Sequence, residues 1–266
     1  MLIPDQKDMV PRYFQIFQDI YNKIEEGVYN NGDKLPSETD MCEYYNVSRG
    51  TIREALKSLI QHGLIVSERG RGTFVTIDKI KQDANQLMGF TEVMQKNNKV
   101  ASGKILEINV KDPNPVVKKI MKLKDDEKVV RIIRLRYGDD KPMIIERSYF
   151  SHTIFEQLLQ YDLEQESIYE LLYKHTSFRL GNAEQDIEAV IAGPKESELF
   201  KIDIGAPLLM MTRLIHLKDG TPFEYTKDLY RADKLKFTIQ TKPYEEKHNN
   251  FAIQLNYTKI YTDNVG

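Results

Sequence analysis

Apolar positions change their spacing along this chain, and each change predicts an element. From Pro11 onward, Tyr13, Phe17, Ile20, Tyr21 and Ile24 recur at three- and four-residue intervals, which predicts an amphipathic helix. Pro11 suits its first turn, and Gly27 lies near its end. A turn-rich connection, YNNGDKL, follows. In PSETD, Ser37 can cap a second helix with Asp40 answering three residues later, and Met41, Cys42 and Tyr45 can face a core. After a short NVS turn with Val47 as its buried peg, Ser48 can cap a third helix, RGTIREALKSLIQHG. There Ile52, Ala55, Leu56 and Leu59 form one apolar stripe, and Gly63 stops the helix. The spacing then shortens in LIVSERGRGTFVT to two strands joined by a glycine-rich tip.

Two helices joined by a short turn and followed by a hairpin predict a winged helix-turn-helix over residues 10–76. The apolar stripe of the third helix leaves Arg49, Gly50, Thr51 and Arg53 near its exposed N-terminal end. In such heads that end enters the major groove, and arginine is suited to a bidentate contact with guanine. Between residues 49 and 73, Arg49, Arg53, Lys57, Arg69 and Arg71 outnumber Glu54 and Glu68. Glycines let the hairpin tip approach a DNA backbone closely, and Arg71 can reach a phosphate or an adjacent minor groove.

KLPSE, YNVSRGTIREALKSLIQHGLI and ERGRGTFV resemble the head of GntR-type bacterial transcription regulators. The resemblance implies DNA contacts from Arg49, Thr51, Arg53, Gly70, Arg71 and Gly72. With their neighbours, the expected DNA-binding set also includes Ser37, Thr39, Ser48, Gly50, Arg69 and Thr73. One departure stands out: many members carry an arginine directly after the LPSE glutamate, where this chain has Thr39.

Residues 77–90 are polar and mixed, which predicts a linker, and β-prone and helical runs alternate beyond it. IMKLKDDEKVVRIIRLRYGDD, from Ile120, echoes LFKIDIGAPLLMMTRLIHLKD, from Leu199. Ile120 matches Leu199, Leu123 matches Ile202, Val129 matches Leu208, Arg134 matches Arg213 and Asp140 matches Asp219. One extra residue then precedes the matched Pro142 and Pro222. Each copy reads as a short helix, a strand, a turn and a second strand, with a helix from about His152 to Gln160 after the first copy. Two such units predict one α+β domain with a mainly antiparallel sheet. Within VVRIIRLRYG, Arg134 and Arg136 share one strand face, while Ile133, Leu135 and Tyr137 share the other. Arg131 falls on the apolar side and is expected at a frayed strand start. Adjacent arginines repel unless an anion or carboxylates lie between them, and a phosphate suits their planar forks.

RLRYGDDKPMIIERSYF, ESIYELL and GTPFEYTKDLYRADKLKF extend the resemblance to the HutC subfamily. Its head is followed by a UTRA effector domain similar in fold to chorismate lyase, here over residues 91–240. By match with members that sense phosphorylated sugars, the resemblance implies Arg134, Arg136 and Ser167 on a phosphate, joined by Thr91 and Tyr169. It implies Glu146 and Glu224 on sugar hydroxyls and Tyr230 lining the pocket. Independently, Ser167 is a plausible helix cap, carboxylates accept hydroxyl protons, and an aromatic ring can cover a sugar's apolar face. Residues 241–266 form a C-terminal extension that suits an added strand or a partner contact.

The 266 residues carry a net charge of −2, so any DNA contact must come from the local basic patch. The lone Cys42 excludes an intramolecular disulfide and fits a reducing compartment. With no signal-like or membrane-spanning run, the expectation is a cytoplasmic protein. The five histidines show no metal-ligand spacing, and neither a nucleophile elbow nor a phosphate-binding lysine loop occurs. No metal, cofactor or enzymatic activity is therefore expected. One head offers few contacts, so a homodimer on a palindromic, double-stranded operator is expected, probed by a small-molecule effector. Three rival readings remain: an unphosphorylated carboxylate effector, an enzymatic C-terminal domain using Glu146 and Glu224 as acid and base, and a ligand-free architectural DNA binder.

Overall fold

The computed structural model describes residues 10–76 and 79–242. Helix α1 spans Arg12–Glu25, with Pro11 at its N-cap, and buries Ile16, Phe17, Ile20 and Ile24. Helix α2 (Glu38–Tyr45) begins with the expected capping box between Ser37 and Asp40, and Asn46 ends it in the left-handed region. Helix α3 (Arg49–Gln61) is capped by Ser48, whose Oγ accepts the Thr51 amide. Its stripe of Ile52, Ala55, Leu56 and Leu59 packs with α1, Leu35 and Met41 in one core. Strands β1 (Ile65–Glu68) and β2 (Gly72–Val75) pair antiparallel as the wing. The YNNGDKL connection does more than turn. Lys34 bridges Phe74, the Leu35 amide donates to Thr73, and Asp33 accepts from Val75, which adds a short third strand to the wing.

The segment expected as a linker holds a strand. β3 (Ile80–Asp83) pairs parallel with the late strand β10 (Leu235–Thr238). Sequence spacing missed this because the partner lies far along the chain. β3 leads into α4 (Phe90–Lys96), and Ile80, Phe90, Val93 and Met94 pack with Ile144, Tyr230 and Leu235.

The larger domain is built on a six-stranded antiparallel sheet. Its first half comprises β4 (Ala101–Lys111), α5 (Pro115–Ile120), β5 (Val129–Gly138) and β6 (Lys141–Ser151). Its second half comprises β7 (Leu180–Ile191), α8 (Pro194–Phe200), β8 (Pro207–Leu217) and β9 (Pro222–Arg231). The strand order β4-β5-β6-β9-β8-β7 joins the halves at a β6–β9 seam, where Ile144 faces Tyr230 and Ser148 faces Thr226. The repeated helix-hairpin units are therefore equivalent halves of one sheet, each preceded by a long edge strand.

Period-two alternation gives the sheet two different faces. On one, Ile133, Leu135, Leu208 and Leu229 pack with α8, while Val129 and Tyr225 pack with α5. On the other, Val130, Ile132, Phe150 and Ile215 pack against α6 (His152–Phe155), a 3₁₀ turn (Glu156–Leu158) and α7 (Ile168–His175). Arg131 does not lie at a frayed end. It is paired with Asn109 and Tyr149, and β4 brings it Glu107 as an ion-pair partner.

The head touches the larger domain through α3. Lys57 pairs with Asp203 at 3.1 Å. At Gly63 (φ +70°) the backbone lies so close to the Asp233 carbonyl that a Cβ would fall 2.1 Å from its oxygen. Of the expected extension 241–266, residues 243–266 lie outside the described part.

Candidate functional site

Two sites emerge, one on each domain. On the head, the N-termini of α2 and α3 lie side by side. Arg49 donates to the Thr39 hydroxyl at 3.2 Å, and Arg53 pairs with Glu38 at 3.0 Å. Thr39 thus anchors an arginine of the next helix. Ser37 and Ser48 are occupied as caps, and the Ser48 and Thr51 hydroxyls meet at 3.0 Å. Across a furrow lined by Arg53, Lys57, Ser67 and Thr73 stands the wing. Its tip turns at Gly70 (φ +76°), and Arg71 pairs with Glu68 there and leans over the Phe74 ring. The Arg53 and Arg71 side chains are 67% and 73% exposed. Ion pairs so exposed are worth about 0–1 kcal/mol, so phosphates or base edges can replace them at little cost.

The second site opens where the α6–α7 layer stops and the α4–β3–β10 layer begins. Between them the sheet face carries polar side chains. Thr91, Arg134, Arg136, Glu146, Ser167, Tyr169, Glu224 and Tyr230, all singled out from sequence, line this one cleft. Gln82, Ser148, Arg213, Thr226 and Asp228 line it too and were missed. A signal for most of them existed. Ser148, Thr226 and Asp228 continue the alternation of Glu146 and Glu224 along their strands, and Arg213 is the residue matched to Arg134 in the internal echo. Gln82 carried none, since its strand is set by a distant partner.

The two strand arginines differ in their partners. Arg134 is satisfied: Nε and Nη2 each lie 2.8 Å from Glu146, and Nη1 donates to the Leu163 carbonyl. Arg136 is 1% exposed. It donates to Thr91 Oγ1 at 3.1 Å and to the Glu164 carbonyl at 3.3 Å, and its guanidinium lies over the Phe90 ring. Its Nε is buried without a partner among the described residues. Gly103 faces Arg136 on β4, and a side chain there would collide with the Glu164 carbonyl and with Arg136 Nη1. Burial lowers the Arg136 pKa, with Glu146 and Glu92 acting against that fall. Beside it, Ser167 caps α7 and donates its hydroxyl to Glu92 at 2.7 Å. The other Glu92 oxygen is likewise buried without a partner among the described residues. A buried donor left unpaired is costly, and a polar ligand or a water can complete it.

Carboxyls dominate the far end. Tyr169 donates to Glu224 at 2.9 Å, and Thr226 donates to Asp228 at 2.8 Å. Burial, with repulsion from Asp228, pushes the Glu224 carboxyl up to about 7 against hydrogen bonds from Ser148 and Tyr169. Burial and the charge of Glu146 push Asp228 up to about 6. Burial also opposes the Arg213 charge, but Tyr230, Tyr169, Asp228 and Glu224 around it outweigh burial and raise its pKa. Among the described residues, no group of three or more His, Cys, Asp or Glu side chains is placed to hold a metal ion.

Comparison with known proteins identifies both domains. Residues 12–75 match the description "Bacterial regulatory proteins, gntR family", and residues 96–236 match the UTRA domain. The chain belongs to the gntR family of bacterial regulatory proteins. This gntR-family chain is 30% identical to the HTH-type transcriptional repressor NagR of Bacillus subtilis, over 88% of this chain and 96% of that protein. It is 26% identical to a probable fructoselysine utilization operon transcriptional repressor of Escherichia coli K12, over 86% of this chain and 94% of that protein. Among solved structures, the possible transcriptional regulator YydK of Bacillus subtilis matches with a TM-score of 0.53 and 26% identity, over 88% of this chain and all of that one. PhnF of Mycobacterium smegmatis matches in fold with a TM-score of 0.61 and 20% identity, over the same shares. The gntR-family protein is therefore a DNA-binding transcription regulator with a winged helix-turn-helix head and an α+β UTRA domain. No helix among the described residues is long and apolar enough to cross a membrane.

Proposed function

We propose that this regulator is a repressor of sugar-utilisation genes, controlled by a phosphorylated sugar or amino sugar in the UTRA cleft. The observation that carries the reading is Arg136: a buried guanidinium with an unpaired Nε, flanked by Thr91 and Ser167. A guanidinium in that setting calls for an anion, and a phosphate oxygen matches its fork. The remaining cleft offers carboxyls for hydroxyl or ammonium groups and Tyr230 as an aromatic wall. Relatives named as repressors of fructoselysine utilization and of mannosyl-D-glycerate transport and metabolism support a sugar-linked role.

The head reads a palindromic operator in the cytoplasm as part of a homodimer, with Arg49, Thr51 and Arg53 in the major groove and Arg69–Thr73 on the backbone or minor groove. The effector acts by a differential affinity for two arrangements of the heads. β3 provides a physical route, because it carries Gln82 into the cleft and follows directly from the head. The UTRA domain binds its ligand without turnover.

A thermal-shift panel of sugar phosphates and their unphosphorylated partners tests the effector. At about a hundred times its dissociation constant, a true ligand adds roughly 2.7 kcal/mol of stability. Stabilisation by phosphorylated members alone is the expected result. Stabilisation by unphosphorylated carboxylates instead would overturn the phosphate assignment, and product detected by mass spectrometry would overturn the non-enzymatic one.

A further inference from the structure

The six-stranded sheet ends on one side at β7, and among the described residues no strand pairs with its outer edge. That edge is twelve residues long, and its two faces differ. Ile187 and Ala189 stand opposite Met211 and Leu209, which pack in the α4–β3–β10 layer, so Ile187, Ala189 and Ile191 lie on that face of the sheet. All three are exposed, Ile191 at 73%. Glu184, Asp186 and Glu188 alternate with them, are exposed too, and share the α8 face with Val190. A long open edge with an apolar face is a template for one more strand.

β10 ends beside this edge. At its last residue the Thr238 carbonyl accepts the Ala84 amide at 2.9 Å, and Gln185 of β7 donates to the Ala84 carbonyl at 2.7 Å. Twelve residues then separate Thr238 from Phe251. Fully extended they reach about 40 Å, while Gln185 lies only roughly 20 Å from either end of β7. From Phe251 the sequence reads FAIQLNYT and alternates strictly. Phe251, Ile253, Leu255 and Tyr257 fall on one side, and Ala252, Gln254, Asn256 and Thr258 on the other. The first set matches the apolar face of β7. The second carries no charge and offers amide and hydroxyl donors to the acidic row. The opposite edge strand, β4, also exposes Ile108 and Val110, but it lies five strand spacings away, about 24 Å.

We infer that residues 251–258 dock on the outer edge of β7 of their own chain as a seventh strand of the sheet. The added strand covers Ile187, Ala189 and Ile191 and closes one of the sheet's two open edges. Neither the surface nor its test involves the effector.

Hydrogen exchange read by mass spectrometry on the full chain tests it. Residues 251–258 should exchange about tenfold or more slowly than an unstructured peptide of the same sequence, equally at protein concentrations about a hundredfold apart. The full-length double variant Ile253→Asp, Leu255→Asp should speed exchange of residues 184–191 by about tenfold or more and leave residues 104–111 of β4 unchanged. Ile191→Asp, at an exposed position of β7, should in turn remove the protection of residues 251–258. An unprotected 251–258 segment in the wild type overturns the inference, and so does β7 exchange that the double variant leaves unaltered. A response at β4 instead places the strand on the other edge and overturns it equally. Protection that falls on dilution assigns the strand to a second copy of the chain, which also overturns it.

Discussion

Arg136→Met separates a ligand-binding role from a structural one. In the free protein Arg136 makes two hydrogen bonds, to Thr91 and the Glu164 carbonyl, and leaves Nε unpaired at 1% exposure. Losing those two bonds costs roughly 0.5–1.5 kcal/mol each. Relief of a buried, unpaired charge offsets that loss, because replacing such a group by an apolar side chain of similar size is often neutral. Ligand-free stability in urea should therefore stay within about 1 kcal/mol of wild type. Binding should respond differently. An anion held by Nε and Nη2 gains two charge-assisted bonds of roughly 1.5–3 kcal/mol each, so the variant should lose about 3 kcal/mol or more, a hundredfold or greater. Calorimetry with the stabilising sugar phosphate, beside urea unfolding without ligand, reads both quantities. A ligand-free loss above about 3 kcal/mol, with phosphate-ester affinity held within about threefold, would refute the reasoning and make Arg136 a core residue.

The head and the carboxyls give further tests. Arg49→Ala and Arg53→Ala should each cost roughly 1–3 kcal/mol of operator binding, read by fluorescence anisotropy; unchanged affinity in both removes them from the major groove. Arg71→Ala should reduce the slope of log affinity against log salt by about 0.9, and an unaltered slope would take it off the DNA backbone. Glu224 has a folded pKa raised from 4.5 to about 7, so the folded state holds its proton where the unfolded state has lost it. Its contribution is complete below the unfolded value and fades as pH rises towards about 7. Glu224→Gln should flatten the fall in ligand-free stability between pH 5 and pH 8, and an equally steep fall in that variant would contradict the burial of a protonated carboxyl.

Most of the head was legible because its signals are local. Ser37 with Asp40, Ser48 and Gly63 are caps and stops whose effect spans a few residues, and the stripe Ile52–Ala55–Leu56–Leu59 is one helical period. The echo between Ile120 and Leu199 likewise exposed two equivalent helix-hairpin units, since repeated structure repeats its apolar spacing. Alternation correctly put Arg134 and Arg136 on one face. It misplaced Arg131, whose partner Glu107 lies on a neighbouring strand. It likewise missed β3, whose hydrogen bonds go to residues about 150 positions away.

Spacing along the chain thus specified which side chains share a face: helical and strand periods are properties of one segment and its backbone geometry. It could not say which of those side chains already have partners. Arg134 and Arg136 look alike in VVRIIRLRYG, and packing alone distinguishes them: β6 sets Glu146 against the first, while nothing is set against the Nε of the second. Arg213 matches Arg134 in sequence and differs in charge environment because Thr226 stands where Glu146 does. Pairing in a buried cleft depends on strands brought together from distant parts of the chain, and an unpaired buried charge exists only once water has been excluded.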